Sequence, residues 1–105
     1  MDKKQVAVIG LGRFGISTIK TLYNLGHDVL AIDKNDERVQ SVLGQVTYAI
    51  SADCTNENAL SELGVQDYDA AVVAIGTDIV SSVMASVLLK TMGVKMVMAR
   101  ARDSL

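Results

Sequence analysis

Short apolar runs alternate with segments of helical periodicity along the whole chain. Five runs predict strands because they are apolar or β-branched and are bounded by glycine or polar residues, over 6–9, 29–32, 47–50, 70–75 and 95–99. Between them, apolar residues recur at helical spacing from about 14 to 25, 36 to 43, 56 to 63 and 79 to 92. Because strands and helices alternate strictly, the pattern predicts parallel strands joined by crossover helices.

The predicted helices carry apolar side chains for a core and polar residues at their N-terminal ends. The residues expected on core faces of the first three helices are Ile16, Ile19, Leu22, Tyr23, Leu25, Val39, Val42, Leu43, Leu60 and Leu63. Asn35 or Asp36 is suited to cap the second helix, and Thr55 or Asn56 to begin the third.

Periodicity leaves two strand orders open for such a doubly wound sheet, the Rossmann order 3-2-1-4-5 and the flavodoxin order 2-1-3-4-5. The glycines after the first strand distinguish them. Residues 10–15, Gly-Leu-Gly-Arg-Phe-Gly, form a G-x-G-x-x-G motif between a predicted strand and a predicted helix. The sequence therefore predicts a single-domain Rossmann fold over residues 1–105, an α/β doubly wound parallel sheet in the order 3-2-1-4-5.

The glycine motif points to a nucleotide phosphate site. Gly10 permits a tight turn, Gly12 lets backbone N–H groups approach a pyrophosphate, and Gly15 lets the helix pack closely on the strand. An anion would then lie where unpaired N–H groups and the helix dipole favour negative charge. The alternative is that three glycines only build a sharp turn, and the acid after the second strand favours the nucleotide.

Asp33 ends the second predicted strand, 21 residues after Gly12, where a carboxylate can accept hydrogen bonds from both hydroxyls of an adenosine ribose. Its alternative role is a helix cap, for which Asn35 and Asp36 are better placed. The same carboxylate would repel the 2′-phosphate of NADP, so NADP is expected to be excluded. Lys34 and Arg38 could neutralise that phosphate, but both are expected to be solvated.

Two further loops are expected beside the same crevice, because ligands of open α/β sheets lie outside the carboxyl ends of the strands. Asp53 could accept a hydrogen bond from the adenine amino group or cap the third helix, and both interpretations stay open. Residues 74–76, Ala-Ile-Gly, should form an apolar wall, and Asp78 should cap the fourth helix.

No catalytic group is predicted in the crevice. His27, the only histidine, falls in a turn at the opposite end of the sheet and is expected to face solvent. Cys54 has no neighbouring histidine and is expected to pack as a small apolar group. The sequence contains neither a Walker-type lysine motif nor a metal-ligand cluster. A nucleotide bound without chemistry implies a sensor, in which Arg13 would point toward the phosphates or a facing subunit, unless it is merely exposed.

Composition narrows the range of partners. The 105 residues carry 10 basic and 12 acidic side chains, a net charge of -2, with no basic block for nucleic acid or lipid headgroups. The longest promising apolar run, Ile79 to Leu89, covers 11 residues, whereas a membrane span needs about 20, so no membrane insertion is expected. A single cysteine and the lack of a signal-peptide pattern indicate a reducing, cytoplasmic location.

The glycine loop and several further segments resemble the KTN or RCK N-terminal domain of the cytosolic regulatory subunits of bacterial Ktr and Trk potassium uptake systems. The resemblance rests on residues 5–15, 26–33, 53–55, 73–76 and 99–102 and spans essentially the whole chain. Arg13 and Phe14, combined with the Ala-Ile-Gly strand end, are more specific than G-x-G-x-x-G alone.

The resemblance implies a nucleotide-controlled gate rather than an enzyme. Family members bind ATP, ADP or NAD(H) and form dimers and an octameric ring beneath a membrane potassium transporter, at the inner face of the cell membrane. The loop looks closer to the Ktr branch, in which the loop arginine, here Arg13, distinguishes the terminal phosphate of ATP from ADP. The predicted nucleotide site comprises Gly10, Leu11, Gly12, Arg13, Phe14, Gly15, Asp33, Lys34, Asp53, Cys54, Ala74, Ile75, Gly76 and Arg100.

The family's domain continues past its fifth strand to a sixth strand, a crossover helix and a C-terminal ligand-binding domain, none of which follows Leu105. The chain is therefore expected to be a fragment or a short relative, with strand 95–99 as an exposed edge where Met96 and Met98 invite pairing. Two alternative functions stay open: the coenzyme half of an NAD-dependent oxidoreductase, and an interaction scaffold with a vestigial site.

Overall fold

The computed structural model describes residues 2–76 and 78–100, which form five strands and four α-helices. The strands are β1 (Gln5–Ile9), β2 (Asp28–Asp33), β3 (Tyr48–Ser51), β4 (Ala70–Val73) and β5 (Met96–Ala99). The α-helices are α1 (Arg13–Asn24), α2 (Asp36–Val42), α3 (Glu57–Glu62) and α4 (Ile79–Thr91). A short 3₁₀-helix over Val65–Asp67, between α3 and β4, is an element that the sequence pattern did not predict.

All five strands pair in parallel in the order β3-β2-β1-β4-β5, which confirms the predicted Rossmann topology. β1 is central, since its residues pair with β2 on one side and with β4 on the other. Its apolar residues are buried on both faces, as a central parallel strand requires. β3 and β5 form the two edges, and Met96 and Met98 of β5 are each 56% exposed, as expected.

The sheet separates two hydrophobic cores. On one face, α1 and α2 cover the strands, with Ile19 and Val39 buried beneath them. On the other face, α3 and α4 bury Leu60 and Leu89, both fully. Burial of an aliphatic side chain of this kind contributes about 1.5–3 kcal/mol, so packing on both faces holds the carboxyl ends of the strands in register.

β4 ends at Val73, two residues earlier than the predicted end at residue 75. The neighbouring strand β1 ends at Ile9, and the chain turns away at Gly10, whose φ is +99°. The N–H of Ala74 still donates to the carbonyl of Ile9 at 2.7 Å, but the residues after it have lost their partner in β1. Residues 74–76 therefore form a loop at the carboxyl end of the sheet.

Three apolar residues expected on core faces are instead substantially exposed. Tyr23 is 45% exposed, Leu25 is 55% exposed and Leu43 is 49% exposed. Leu25 and Leu43 are the C-cap residues of α1 and α2, so they follow the last helical residues that pack on the sheet. The helical spacing of apolar residues therefore predicted core-facing positions beyond the last residues of α1 and α2.

His27 is buried, which contradicts the solvent-facing position expected from the sequence. Its Nδ1 accepts a hydrogen bond from the N–H of Lys4 at 3.0 Å. This bond ties the segment before β1 to the turn before β2. The imidazole is thus a structural group at the end of the sheet opposite the glycine loop.

α4 is apolar around most of its circumference. Its inner side chains Ala85 and Leu89 are fully buried, whereas its outer side chains remain exposed by 46–70%. These outer residues, called here the α4 face, are Ile79, Val80, Val83, Met84 and Val87. α4 has 13 residues, and across residues 2–76 and 78–100 none of the helices is long and apolar enough to cross a membrane.

Candidate functional site

A crevice of about 1060 Å³ opens at the carboxyl ends of the strands, between the glycine loop and the loops that follow β2, β3 and β4. This is where an open α/β sheet binds its ligands, at the point where the strand order reverses. The predicted residues that line the crevice are Gly10, Gly12, Arg13, Phe14, Asp33, Lys34, Asp53, Cys54, Ala74, Ile75, Gly76 and Arg100.

Two predicted site residues do not line the crevice. The side chain of Leu11 is 1% exposed and belongs to the core under α1. Gly15 is buried beneath the loop, and a Cβ built on it would overlap the carbonyl oxygen of Gly10. Both residues therefore support the loop from below.

Gly10 sets the path of the glycine loop. Its φ of +99° lies in the left-handed region, and a Cβ there would come within 2.7 Å of the carbonyl oxygen of Ala74. The loop can therefore approach the end of β4 only where the residue has no side chain. This contact, together with the tight packing of Gly15 on Gly10, holds the start of α1 against the turn that follows β1.

Gly12 differs from the other two glycines of the motif. It has an ordinary φ of -77°, and a Cβ built on it would meet no atom of residues 2–76 and 78–100 within 4 Å. The fold itself does not require glycine at this position. Since Gly12 lines the crevice, the space that it leaves open lies on the ligand side.

The N-terminus of α1 is left uncapped in the part of the chain that the structure describes. Gly12 is its N-cap residue and offers no side-chain hydrogen bond, and its first turn contains no acidic residue. By contrast, the side chains of Asn35, Asn56 and Asp78 cap α2, α3 and α4. The first N–H groups of a helix are donors without intrahelical partners, and an uncapped helix start is suited to bind an anion.

Asp33 connects the end of β2 to the glycine loop. The residue is 8% exposed; its Oδ2 accepts a hydrogen bond from the N–H of Leu11, and its Oδ1 accepts one from the N–H of Asn35, both at 2.8 Å. Nη1 of Arg38 lies 3.7 Å from Oδ2. Because a carboxylate oxygen can accept more than one hydrogen bond, these contacts orient the group and leave acceptor capacity for ligand hydroxyls.

Asp53 does not cap the third helix. Its Oδ1 accepts hydrogen bonds from the N–H of Thr55 at 2.9 Å and from the hydroxyl of Thr55 at 2.7 Å, while Asn56 is the N-cap residue. The hydroxyl bond, and then the backbone bond, lower the pKa of the Asp53 carboxyl, and the charge of Lys34 adds to the effect. Asp53 is thus an ionised acceptor at the crevice.

Cys54 lines the crevice only as part of an apolar wall. It is 6% exposed and packs in the core on the α3 side, as predicted. Burial, assisted by the charges of Asp53 and Asp33, raises the pKa of its thiol to about 12. The thiol is therefore protonated at neutral pH and is a poor nucleophile.

The far wall of the crevice is formed by the start of α4. The carboxylate of Asp78 accepts hydrogen bonds from the N–H of Ser81 at 3.0 Å and from its hydroxyl at 2.7 Å, which confirms the predicted cap. The Ser81 hydroxyl bond, and then the backbone bond, lower the pKa of the Asp78 carboxyl. Asp78 therefore contributes a negative charge to this wall.

Several lining residues were not predicted as site residues. They are Ile9, Arg38, Ala52, Thr55, Asp78 and Ser81. Thr55 and Ser81 sit two and three residues after an aspartate, a spacing typical of turn and cap partners, so the sequence held a signal for both. Arg38 is exposed, as the sequence predicts, and the fold of α2 also brings its guanidinium to Asp33.

The crevice carries more positive than negative side chains. Its cations are Arg13, Lys34, Arg38 and Arg100, and its carboxylates are Asp33, Asp53 and Asp78. Arg13 and Arg100 lie near the uncapped start of α1, where Cζ of Arg100 is 4.3 Å from the centroid of the Phe14 ring. The arrangement suits an anionic ligand at the glycine loop and a hydrogen-bond donor at Asp33.

Comparison with known proteins places this site in a family. Residues 6–105 match the TrkA-N domain. The Ktr system potassium uptake protein A of Vibrio alginolyticus is 47% identical over 100 residues, and the protein of the same name from Bacillus subtilis is 42% identical over 103 residues. These alignments cover 95% and 98% of this chain but 46% of each relative, so the chain spans about half the length of the curated relatives it matches.

A solved structure shares the fold. The NAD(P)-binding domain of an exopolyphosphatase-related protein from Archaeoglobus fulgidus has a TM-score of 0.76 and 26% sequence identity. The superposition covers 98% of this chain and 75% of the solved one, so it includes the whole sheet. With a family match that extends from β1 to the last residue, the chain belongs to the TrkA-N domain family.

Proposed function

We propose that the chain is a nucleotide-sensing, non-catalytic domain that controls a membrane potassium transporter from the cytoplasmic side. The observation that carries the proposal is the uncapped N-terminus of α1, which lines the same crevice as the Asp33 carboxylate. The similarity to Ktr potassium uptake proteins supports the link between this nucleotide site and potassium transport.

In the proposed complex, the nucleotide is ATP, ADP or NAD(H). Its diphosphate lies against the N–H groups at the start of α1, and its ribose hydroxyls donate to Asp33. The open space at Gly12 supports this pose, because a side chain there would enter the volume assigned to the phosphates. Asp53 and the wall formed by residues 74–76 are proposed to contact the adenine.

Charge is proposed to set the choice of nucleotide. Asp33 is mostly buried and would face a 2′-phosphate at close range, so NADP is proposed to bind more weakly than NAD. Arg13 is exposed at the start of α1 and is proposed to contact a terminal phosphate. A nucleotide that gains or loses this phosphate would shift the conformational equilibrium through that contact.

Binding without chemistry is proposed because the two side chains most often used as nucleophile or base are engaged elsewhere. Cys54 is buried with a thiol pKa of about 12. His27 lies at the opposite end of the sheet, where its Nδ1 accepts the Lys4 N–H. The ligand is therefore proposed to act as a signal, not as a coenzyme.

The domain is proposed to work as a homo-oligomer, a dimer that contributes to an octameric ring in the whole protein. The exposed α4 face supports the proposal, because five large apolar side chains at helical spacing form a contiguous patch on one helix. The membrane transporter would then sense the state of the ring at the inner face of the cell membrane.

Calorimetric titration of one glycine variant tests the nucleotide site without damage to the fold. Ser at position 12 would cap α1 with its own hydroxyl, so Gly12→Ser should leave the melting temperature unchanged or slightly raised while it weakens ATP, ADP and NAD⁺ at least tenfold. Gly15→Ala is the contrasting control: its Cβ would overlap the Gly10 carbonyl, so it should lower the melting temperature.

The same titrations decide among the alternative functions. Saturable ATP and ADP binding, with ATP weakened more than ADP in Arg13→Ala, is the result expected of the sensor. Binding of NAD(H) alone would favour the coenzyme half of an oxidoreductase. If no adenine nucleotide binds to the folded chain, the nucleotide proposal is wrong and a scaffold with a vestigial site remains.

A further inference from the structure

Phe14 and Arg100 join two distant parts of the chain inside the crevice. Phe14 is the second residue of α1, and Arg100 follows directly after β5. Cζ of Arg100 lies 4.3 Å from the centroid of the Phe14 ring. A guanidinium at this distance from an aromatic ring makes a cation–π contact.

The backbone of Arg100 is held by the sheet. Its N–H donates to the carbonyl of Val73 at 3.0 Å, which extends the β4–β5 ladder by one residue. The side chain then has several rotatable bonds between this anchor and its charge. Contact with the ring therefore limits the positions that the guanidinium can take, which lowers the entropic cost of using it to bind a ligand.

The ring holds this charge beside the start of α1. Phe14 lies in the first turn of the helix, next to Arg13, and both line the crevice together with Arg100. A cation near a helix N-terminus is unfavourable in the absence of an anion. The negative face of an aromatic ring offsets part of that repulsion.

We infer that Phe14 is a positioning residue, whose ring holds the guanidinium of Arg100 ready to bind the phosphates of a nucleotide. The inference rests on the proposed nucleotide-binding function and goes beyond it by assigning a role to an exposed aromatic side chain. An apolar side chain of similar size, such as leucine, would fill the same space without attracting the guanidinium.

Binding of adenosine and of ADP, measured by calorimetry on the whole chain, separates this role from simple packing. Phe14→Leu should raise the Kd of ADP about two- to fivefold and leave that of adenosine unchanged. A cation–π contact contributes about 0.5–1 kcal/mol, and about 1.4 kcal/mol corresponds to a tenfold change in Kd, so loss of the contact corresponds to this range. Phe14→Tyr keeps the ring and should retain the affinity of the unmodified protein for ADP.

A double-mutant cycle identifies the partner of the ring. Arg100→Gln should weaken ADP, and Phe14→Leu should have no further effect in that background, since the two residues act as one unit. Tyr23→Leu is the matched control: it removes another exposed aromatic ring of α1, at the end of the helix away from the crevice. It should leave ADP binding unchanged.

Two results would overturn the inference while the nucleotide site itself stands. One is an equal loss of adenosine and ADP affinity in Phe14→Leu, which would mean that the ring only packs on the nucleoside or the loop. The other is additive losses in the double variant. If the unmodified chain binds none of ATP, ADP and NAD(H), the proposed function itself is contradicted. If it binds NAD(H) but not ADP, the same variants are compared with NAD⁺ in place of ADP.

Discussion

Asp33 accepts backbone hydrogen bonds from Leu11 and Asn35, so a single carboxylate ties the glycine loop to the start of α2. The two N–H donors hold the carboxylate in a fixed orientation, and Arg38 adds a positive charge at 3.7 Å. The electrostatic environment of the proposed ribose site therefore depends on this pair of side chains rather than on Asp33 alone. A charge on the ribose would be repelled by one member and attracted by the other.

Arg38→Ala should sharpen the discrimination between NAD⁺ and NADP⁺. Removal of the guanidinium leaves the Asp33 carboxylate without the cation that lies 3.7 Å from it, so NADP⁺ binding should weaken further relative to NAD⁺. Because the Arg38 side chain is 56% exposed, solvent screening limits the effect to about 1 kcal/mol, or roughly fivefold. Calorimetric titration measures the ratio of the two Kd values, and Arg38→Lys is the control that keeps the charge. Stronger NADP⁺ binding in Arg38→Ala would contradict the electrostatic assignment.

The thiol of Cys54 should be protected from modification in the folded chain. A pKa raised from 9.0 to about 12 lowers the thiolate fraction at pH 8 by roughly a thousandfold. Labelling by 5,5′-dithiobis(2-nitrobenzoate) should therefore be slower by at least that factor in the folded state than in urea, as followed by absorbance. Equal rates in both states would mean that the thiol is accessible.

The same shift predicts how stability changes in alkaline solution. Above pH 9.0 the thiol ionises in the unfolded chain but not in the folded chain until about pH 12. The unfolded state then binds fewer protons, so the free energy of unfolding falls as pH rises through this interval. Urea titrations should show a smaller fall for Cys54→Ala, because alanine has no proton to lose.

At the scale of secondary structure, the helix N-termini divide into two kinds. Asparagine or aspartate side chains cap α2, α3 and α4, each through a hydrogen bond to a backbone N–H three residues on. The N-cap residue of α1 is a glycine instead, and within the described residues this helix lacks a side-chain cap. Capped helices gain stability from their own sequence, whereas α1 leaves its donors available for a ligand.

The third helix offers a direct test of which residue caps it. Asn56→Ala should lower the free energy of unfolding by about 1 kcal/mol, because the N–H of Ala59 loses its acceptor. At this chain length the melting temperature should fall by about 4–8 °C per kcal/mol. Asn56→Asp keeps the cap and is the control. Asp53→Ala should have the smaller effect, and the reverse order would assign the cap to Asp53.

At the scale of the whole molecule, both faces of the sheet are covered but the apolar surface is not all buried. The α4 face leaves side chains such as Ile79 and Val80 about 70% exposed, and Met96 and Met98 are exposed on the edge strand β5. Contiguous apolar patches of this kind on a protein surface usually mark an interface. The proposed self-association therefore rests on this surface rather than on any single residue.

Val83→Glu should weaken self-association of the chain at least tenfold. Val83 is 56% exposed at the centre of the α4 face, so glutamate there is harmless in a monomer but would be buried without a partner in an interface. Light scattering coupled to size-exclusion chromatography measures the change in mass. Leu43→Glu adds the same charge at an exposed residue outside the α4 face and should have no effect. An unchanged mass for Val83→Glu would remove this face from the proposed interface.

The sequence was sufficient for the topology and for most of the crevice. Buried parallel strands are continuous apolar runs, and a glycine motif between a strand and a helix has one well-defined geometry, so local pattern determined both. The predictions were wrong where the structure of a segment depends on other segments that pack against it. The predicted β4 is too long because the end of this strand depends on where β1 turns away at Gly10. The prediction of Leu43 as a core residue is wrong because hydrophobic periodicity does not show where a helix ends.

The amino-acid sequence by itself determined which residues could contact a nucleotide. The spacing of the glycine motif and the end of β2 select the glycine loop and Asp33 in a Rossmann sheet. Only the tertiary structure decided what each of them contacts. Arg38 lies beside Asp33, Arg100 lies on Phe14, and His27 is buried against Lys4. The physical reason is the distance along the chain over which each effect acts. Backbone preferences and hydrophobic periodicity act over a few residues, whereas contacts between side chains depend on how separate helices and strands pack.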